Sequence, residues 1–233
     1  VVRAFVEHDM PDAKDPTFDR EGWIARRMAI HRNPPPQPIE VKWGGDRWMR
    51  ISERRTSNGG YVGIWSDVTE IKQLGQRLND AINSMADGFA LFDADDRLVV
   101  CNEQFRHSPV LQELGDLTGR TMHEILTHFA HSEITDQRAV NNPDAWVTER
   151  LARHLAAPKE PYEQVLTDGR TLQISERRTS SGGIVGIWTD VTALRLAERR
   201  LNDAVASINE GFVLLDADMR YVLFNNEFLR LYP

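Results

Sequence analysis

With 233 residues, 41% of them hydrophobic and 27% charged, the chain is long enough for one or two globular domains and too apolar to be disordered. A formal charge of -7 argues against a surface built to neutralise nucleic-acid phosphates or anionic lipid, so no nucleic-acid partner and no direct membrane contact are expected. The single cysteine, Cys101, leaves no internal disulfide, and no apolar run nears the roughly 20 residues that span a bilayer; the expected place is the cytoplasm, with any membrane anchor lying elsewhere in a longer parent.

In chain order, Trp23, Arg27 and His31 come first, spaced to share one face of a helix. Strand alternation then places Met49, Ile51, Glu53 and Arg55 on one side of the segment ISERRT, and Gly59-Gly60 turns the chain into a run that closes on Asp67-Val68-Thr69. Ile71, Leu74, Leu78, Ala81 and Met85 follow at heptad a and d spacing. Next, GFALFD from Gly88 and RLVVCN from Arg97 read as two strands about the turn Ala94-Asp95-Asp96, with Asn102 placed to cap a short helix. Helical spacing returns over 121–130 and 144–157. PYEQVLT, RTLQISERRT and IVGIWTDV then form a meander broken at Asp168-Gly169 and at Gly182-Gly183. After Thr192 a second heptad stripe holds Leu194, Ala197, Leu201, Ala204 and Ile208.

The whole pattern recurs at an offset of 123. ISERRTSNGGYVGIWSDVT from Ile51 returns as ISERRTSSGGIVGIWTDVT from Ile174, and the register carries through Arg77 and Arg200 with 32 of 55 paired residues identical. Trp23, Arg27 and His31 pair with Trp146, Arg150 and His154 in the same register. A unit of this length is a domain and not a solenoid repeat. The expected organisation is therefore the C-terminal part of a first domain over 1–68, a helical linker over 69–86, and a complete copy over 79–192. A second linker covers 193–208, and the N-terminal part of a third domain covers 209–233.

Two strands, short helices and three antiparallel strands make an α+β pattern in which one sheet face packs against helices. The GFxLxDxxxRxVxxN opening and the closing W-[ST]-D-V-T followed by a helix resemble the PAS domain family. That resemblance implies a five-stranded antiparallel sheet with short helices on one face, its first and last strands adjacent, in tandem copies joined by helical linkers. It further implies a non-enzymatic sensor module with a small-molecule cavity, relaying to an output domain outside this segment, foremost a histidine kinase. A diguanylate or adenylate cyclase output and a ligand-free dimerisation scaffold are the alternatives.

The residues expected to line the cavity are Phe89, Leu91, Leu172, Ile174, Val185 and Ile187 from the sheet, and Ile125, Phe129 and Trp146 from the helices. Asp67, Thr69, Asp190 and Thr192 form the relay motif, with the two threonines expected as helix caps. Glu176 and Arg178 continue the apolar face of their strand; they either touch a ligand or mark where the strand leaves the core, and the solvated reading is preferred. Some PAS domains bind haem through a histidine on the corresponding helix, which makes His154 a haem-ligand candidate. Cys101 stands at the end of a strand, away from the helical motif that forms a flavin adduct, and reads as core; no metal site and no covalently bound cofactor are expected. The linker stripes imply a homodimer through parallel helices. The broken end copies, 1–68 and 202–233, with their unpaired sheet edges, are expected to associate within one chain or between chains, exchange between chains being favoured by the stiff linker helices, into a composite sheet that sets Val213 beside the strand of Ile64.

Overall fold

The computed structural model describes residues 19–43 and 46–231, and the chain divides into two compact units, 1–81 and 82–233. Among the described residues no helix is long and apolar enough to cross a membrane.

In the first unit, α1 (Arg20–Arg32) starts where the Asp19 carboxylate accepts the Gly22 N–H at 2.9 Å, an N-terminal cap read by a free helix donor. Three strands follow, β1 (Ile39–Trp43), β2 (Arg47–Arg55) and β3 (Tyr61–Asp67), in the antiparallel order β1-β2-β3. From β3 the chain passes into α2 (Thr69–Asn83), which has no buried residue and runs across the division between the two units.

In the second unit, β4 (Gly88–Phe92) and β5 (Leu98–Cys101) form a hairpin. Its turn is built by Asp93, whose carboxylate accepts the N–H groups of Asp95 and Arg97, and by Asp96 in the left-handed region at φ 59°. Asn102 caps α3 (Glu103–Arg106) as expected and does more. Its side-chain oxygen accepts from Phe89 and Phe105, while its nitrogen donates to the carbonyls of Ile82 and Asp87, so one buried amide fastens linker, strand and helix together. Three further helices follow: α4 (Pro109–Gln112), α5 (Met122–Ala130) and α6 (Pro143–Ala156). Thr121 and Glu124 close a capping box on α5, and the Asn142 side chain caps α6. The meander β6 (Tyr162–Val165), β7 (Thr171–Arg178) and β8 (Ile184–Asp190) completes a five-stranded antiparallel sheet of order β5-β4-β8-β7-β6. The first and last strands therefore lie side by side, with Phe89 opposite Ile187.

The core lies between this sheet and α5 and α6, around Phe92, Leu98, Leu117, Met122, Ile125 and Trp146. Gly186 is required there: a Cβ would stand 2.5 Å from the ring of Trp188, which lies over the strand at that point. Val191 then leads into α7 (Thr192–Ala206), followed by β9 (Val213–Leu215), β10 (Tyr221–Phe224) and α8 (Asn226–Leu231). Asn225 repeats the role of Asn102, accepting from Phe212 and Phe228 and donating to the Ile208 and Glu210 carbonyls. Among the described residues, β1-β2-β3 form a sheet of three within the first unit and β9-β10 a sheet of two within the second.

Candidate functional site

A cavity of about 290 Å3 opens between the helices and the sheet of the second unit. Phe105, Ile125, Leu126 and Phe129 form its apolar helical side, and Leu172 and Trp188 contribute from the sheet. Polar groups stand among them: Gln104, Arg150, Gln164, Arg170 and Asp190.

Three of the nine residues expected to line the cavity do so, Ile125, Phe129 and Leu172. Phe89, Leu91, Val185 and Ile187 do not. Along β4 the buried residues are Gly88, Ala90 and Phe92, and along β8 they are Ile184 and Gly186, so the four expected side chains share the opposite sheet face. Both faces of these strands are apolar, which hides the inward register from the sequence. Ile174 and Trp146 are buried in the core without lining the cavity; Trp146 packs on Phe129 with ring centroids 5.7 Å apart. The polar members Gln104, Gln164 and Arg170 carry no periodic signal in the sequence.

Beside the cavity lies a buried ion cluster. Arg150 donates from Nη1 and Nη2 to the two oxygens of Glu176 at 3.2 and 2.9 Å, a bidentate fork. His154 Nδ1 meets Glu176 Oε1 at 2.7 Å, and its Nε2 meets Asp96 Oδ1 at 3.0 Å. The Tyr162 hydroxyl donates to Glu176 Oε2 at 3.2 Å. Glu176 is 1% exposed, His154 0% and Arg150 4%.

The preferred solvated reading of Glu176 is thus corrected: a carboxylate is buried on this strand because α6 brings a guanidinium and an imidazole down on it. Arg178, two residues on, is separate from the cluster, exposed, and donates to the Leu155 carbonyl at the end of α6. Trp146, Arg150 and His154 share one helical face, and the repeat of that spacing alongside the repeated ISERR was the sequence signal for this cluster. The first unit builds the same core of it, with Arg27 Nη1 to Glu53 Oε2 at 3.0 Å and His31 Nδ1 to Glu53 Oε1 at 3.4 Å.

Burial pushes the Glu176 carboxyl up, but the His154 hydrogen bond and the Arg150 charge outweigh it and hold the group at about 2. Burial pushes His154 down, and its hydrogen bonds to Asp96 and Glu176 outweigh that, leaving it raised above 6.5. An imidazole whose two nitrogens both face carboxylates is a double donor, hence an imidazolium. This does not fit a haem ligand, because neither nitrogen of His154 keeps a lone pair for iron. Cys101 is buried in the core, as its place at a strand end implied.

The relay motif is also corrected in detail. The threonines are the first helical residues and not the caps. The Asp190 carboxylate accepts the Thr192 N–H at 2.9 Å, while the Thr192 hydroxyl accepts the Thr171 N–H of β7 at 2.9 Å. Asp67, Thr69 and Trp48 repeat the arrangement, at 2.9 and 2.8 Å. Each D-V-T therefore bolts the start of a linker helix to the middle strand of its meander. Asp190 and both neighbours of Thr171 lie in the cavity wall.

The family model described as PAS fold matches residues 82–199. The chain is 33% identical over 165 residues to the non-motile and phage-resistance protein of Caulobacter vibrioides, an alignment covering 64% of this chain and 18% of that protein. It is 26% identical over 213 residues to the sensor protein DivL of the same species, covering 78% of this chain and 26% of that protein. The chain thus spans about a quarter or less of the length of these relatives. Among solved structures, the PAS domain of an HTR-like protein from Haloarcula marismortui aligns at 17% identity and a TM-score of 0.33, covering 52% of this chain and 94% of that one. The family match runs over half of the chain, through the unit whose sheet order, capped hairpin and closing D-V-T are described above, and the chain belongs to the PAS fold family.

Proposed function

We propose that this segment is a signal-input module in which the cavity of residues 79–192 binds a small molecule and α7 carries the result onward. The observation that supports it is the shared wall: Arg170, Leu172 and Asp190 line the cavity, and the residues beside them, Thr171 and Thr192, hold the start of α7. A ligand that shifts this wall by a fraction of an ångström acts on the anchor of the linker helix. On this reading the 123-residue repeat is a tandem array of PAS units, the exposed stripes of α2 and α7 pair with those of a second copy, and the segment works in the cytoplasm, where Cys101 stays reduced. The segment itself catalyses nothing, and the output domain is a histidine kinase; the likeness to a sensor protein, DivL, supports a signalling parent.

Native mass spectrometry of the purified chain, beside a Leu172→Trp variant whose indole fills the cavity, tests the ligand. A small mass retained by the wild type and lost by the variant is the expected result. The same mass on both proteins places the ligand elsewhere, and no mass on either favours the ligand-free scaffold.

A further inference from the structure

Resting on the reading of the cavity as a ligand site, we infer that its ligand is a small uncharged compound bearing an amide-type edge, a carbonyl oxygen beside an N–H, on an apolar ring or chain. Gln164 carries the argument. It is 5% exposed, lies in the cavity wall, and its carboxamide makes no hydrogen bond among the described residues. Alternation on β6 puts it on the same face as Tyr162, which is tied to Glu176, and opposite to Glu163, which pairs with Arg195 on the other side of the sheet. The Gln164 amide atoms are not among the fully buried unpartnered ones, so water can reach them, and a ligand with a matching polar edge can take that water's place. The carboxamide offers two donors and an acceptor, so the partner that satisfies it presents an acceptor and a donor side by side.

The charges of the wall argue for a neutral ligand over a carboxylate. Arg150 is already matched by Glu176 and Arg170 by Asp168, at 2.7 Å, so neither offers an unpaired cation. Asp190 adds a further negative group. A carboxylate also has no N–H to give the Gln164 oxygen. Opposite these groups, Phe105, Ile125, Leu126 and Phe129 supply the apolar surface for the rest of the compound.

Three probes of one shape decide it: benzamide, benzoate and toluene, each titrated into the whole chain and followed by amide NMR. Benzamide is expected to bind about tenfold more tightly than the other two, roughly the worth of one well-placed buried hydrogen bond, and to shift the Gln164 side-chain amide signal. Gln164→Leu should erase that preference and leave toluene binding in place. Gln164→Met, unbranched and of similar length without an amide donor or oxygen acceptor, gives the same comparison should the leucine variant fold poorly. Toluene binding as tightly as benzamide, benzoate binding best, or a preference that survives both substitutions overturns the amide class while leaving the cavity a ligand site. Failure of all three probes to bind overturns the ligand-site reading with it.

Discussion

Glu176 is the residue on which the buried cluster turns, since it alone touches Arg150, His154 and Tyr162. Its removal by Glu176→Ala leaves the Arg150 guanidinium without a counter-charge, and urea melts are expected to show a loss of about 3 to 5 kcal/mol. Arg178→Ala, which gives up only exposed contacts to the Leu155 and Gly182 carbonyls, should cost under about 1.5 kcal/mol. Equal losses would place the two residues in one network, contrary to the geometry.

The cluster also sets a pH window. Glu176 is held at about 2 in the fold against 4.5 unfolded, so its contribution is complete above about pH 4.5 and is lost as pH falls towards 2. His154 is raised above 6.5, so its contribution is complete below that value and is lost as pH rises through the folded value. Unfolding free energy should therefore be greatest between about pH 5 and 6.5 and decline as pH rises through the raised folded value of His154. His154→Gln should flatten that decline; an unchanged alkaline slope would count against a double-donor imidazolium bridging Asp96 and Glu176.

At the scale of the element, the linker helices stand out because their apolar residues face solvent. Leu78 is 62% exposed and Leu201 58%, and each belongs to a stripe of a and d spacing that finds no cover in its own unit. A stripe of that kind, two heptads long, has the spacing that a matching helix from a second copy would cover. On the proposed pairing of these stripes, Leu78→Glu together with Leu201→Glu sets unpaired carboxylates between the helices, and sedimentation is expected to report a dimer for the wild type and a monomer for the double variant. A dimer that persists in the double variant would move the contact to another surface.

For the molecule as a whole, the span 79–192 contains all five strands of its sheet, every helix that covers it, and both partners of each contact in the ion cluster. It is expected to fold alone, unfolding in urea as one cooperative transition with the far-ultraviolet and tryptophan signals coincident. Separate transitions, or a product without a cooperative melt, would show that residues outside the span complete its core. β1-β2-β3 and β9-β10 contrast with it, for Ile64, Trp65 and Val222 are each at least half exposed on strands of small sheets.

The order of strands and helices, the hairpin and its cap at Asn102, and the duplicated unit were all legible in the sequence, because each rests on local chemistry: period-2 and period-3.6 patterns, turn residues and an exact repeat distance. Which sheet face looks into the cavity was decided by tertiary structure. Phe89, Leu91, Val185 and Ile187 are as apolar as the inward residues, so only the packing of α5 and α6 selects Ala90, Phe92 and Ile184 for the interior. The same holds for Glu176, whose two possible fates, solvent or burial, differ only in whether a guanidinium 26 residues away comes within hydrogen-bond reach. Local sequence specifies the charge, but the Coulomb and hydrogen-bond energy that makes its burial tolerable exists only once α6 has crossed the sheet.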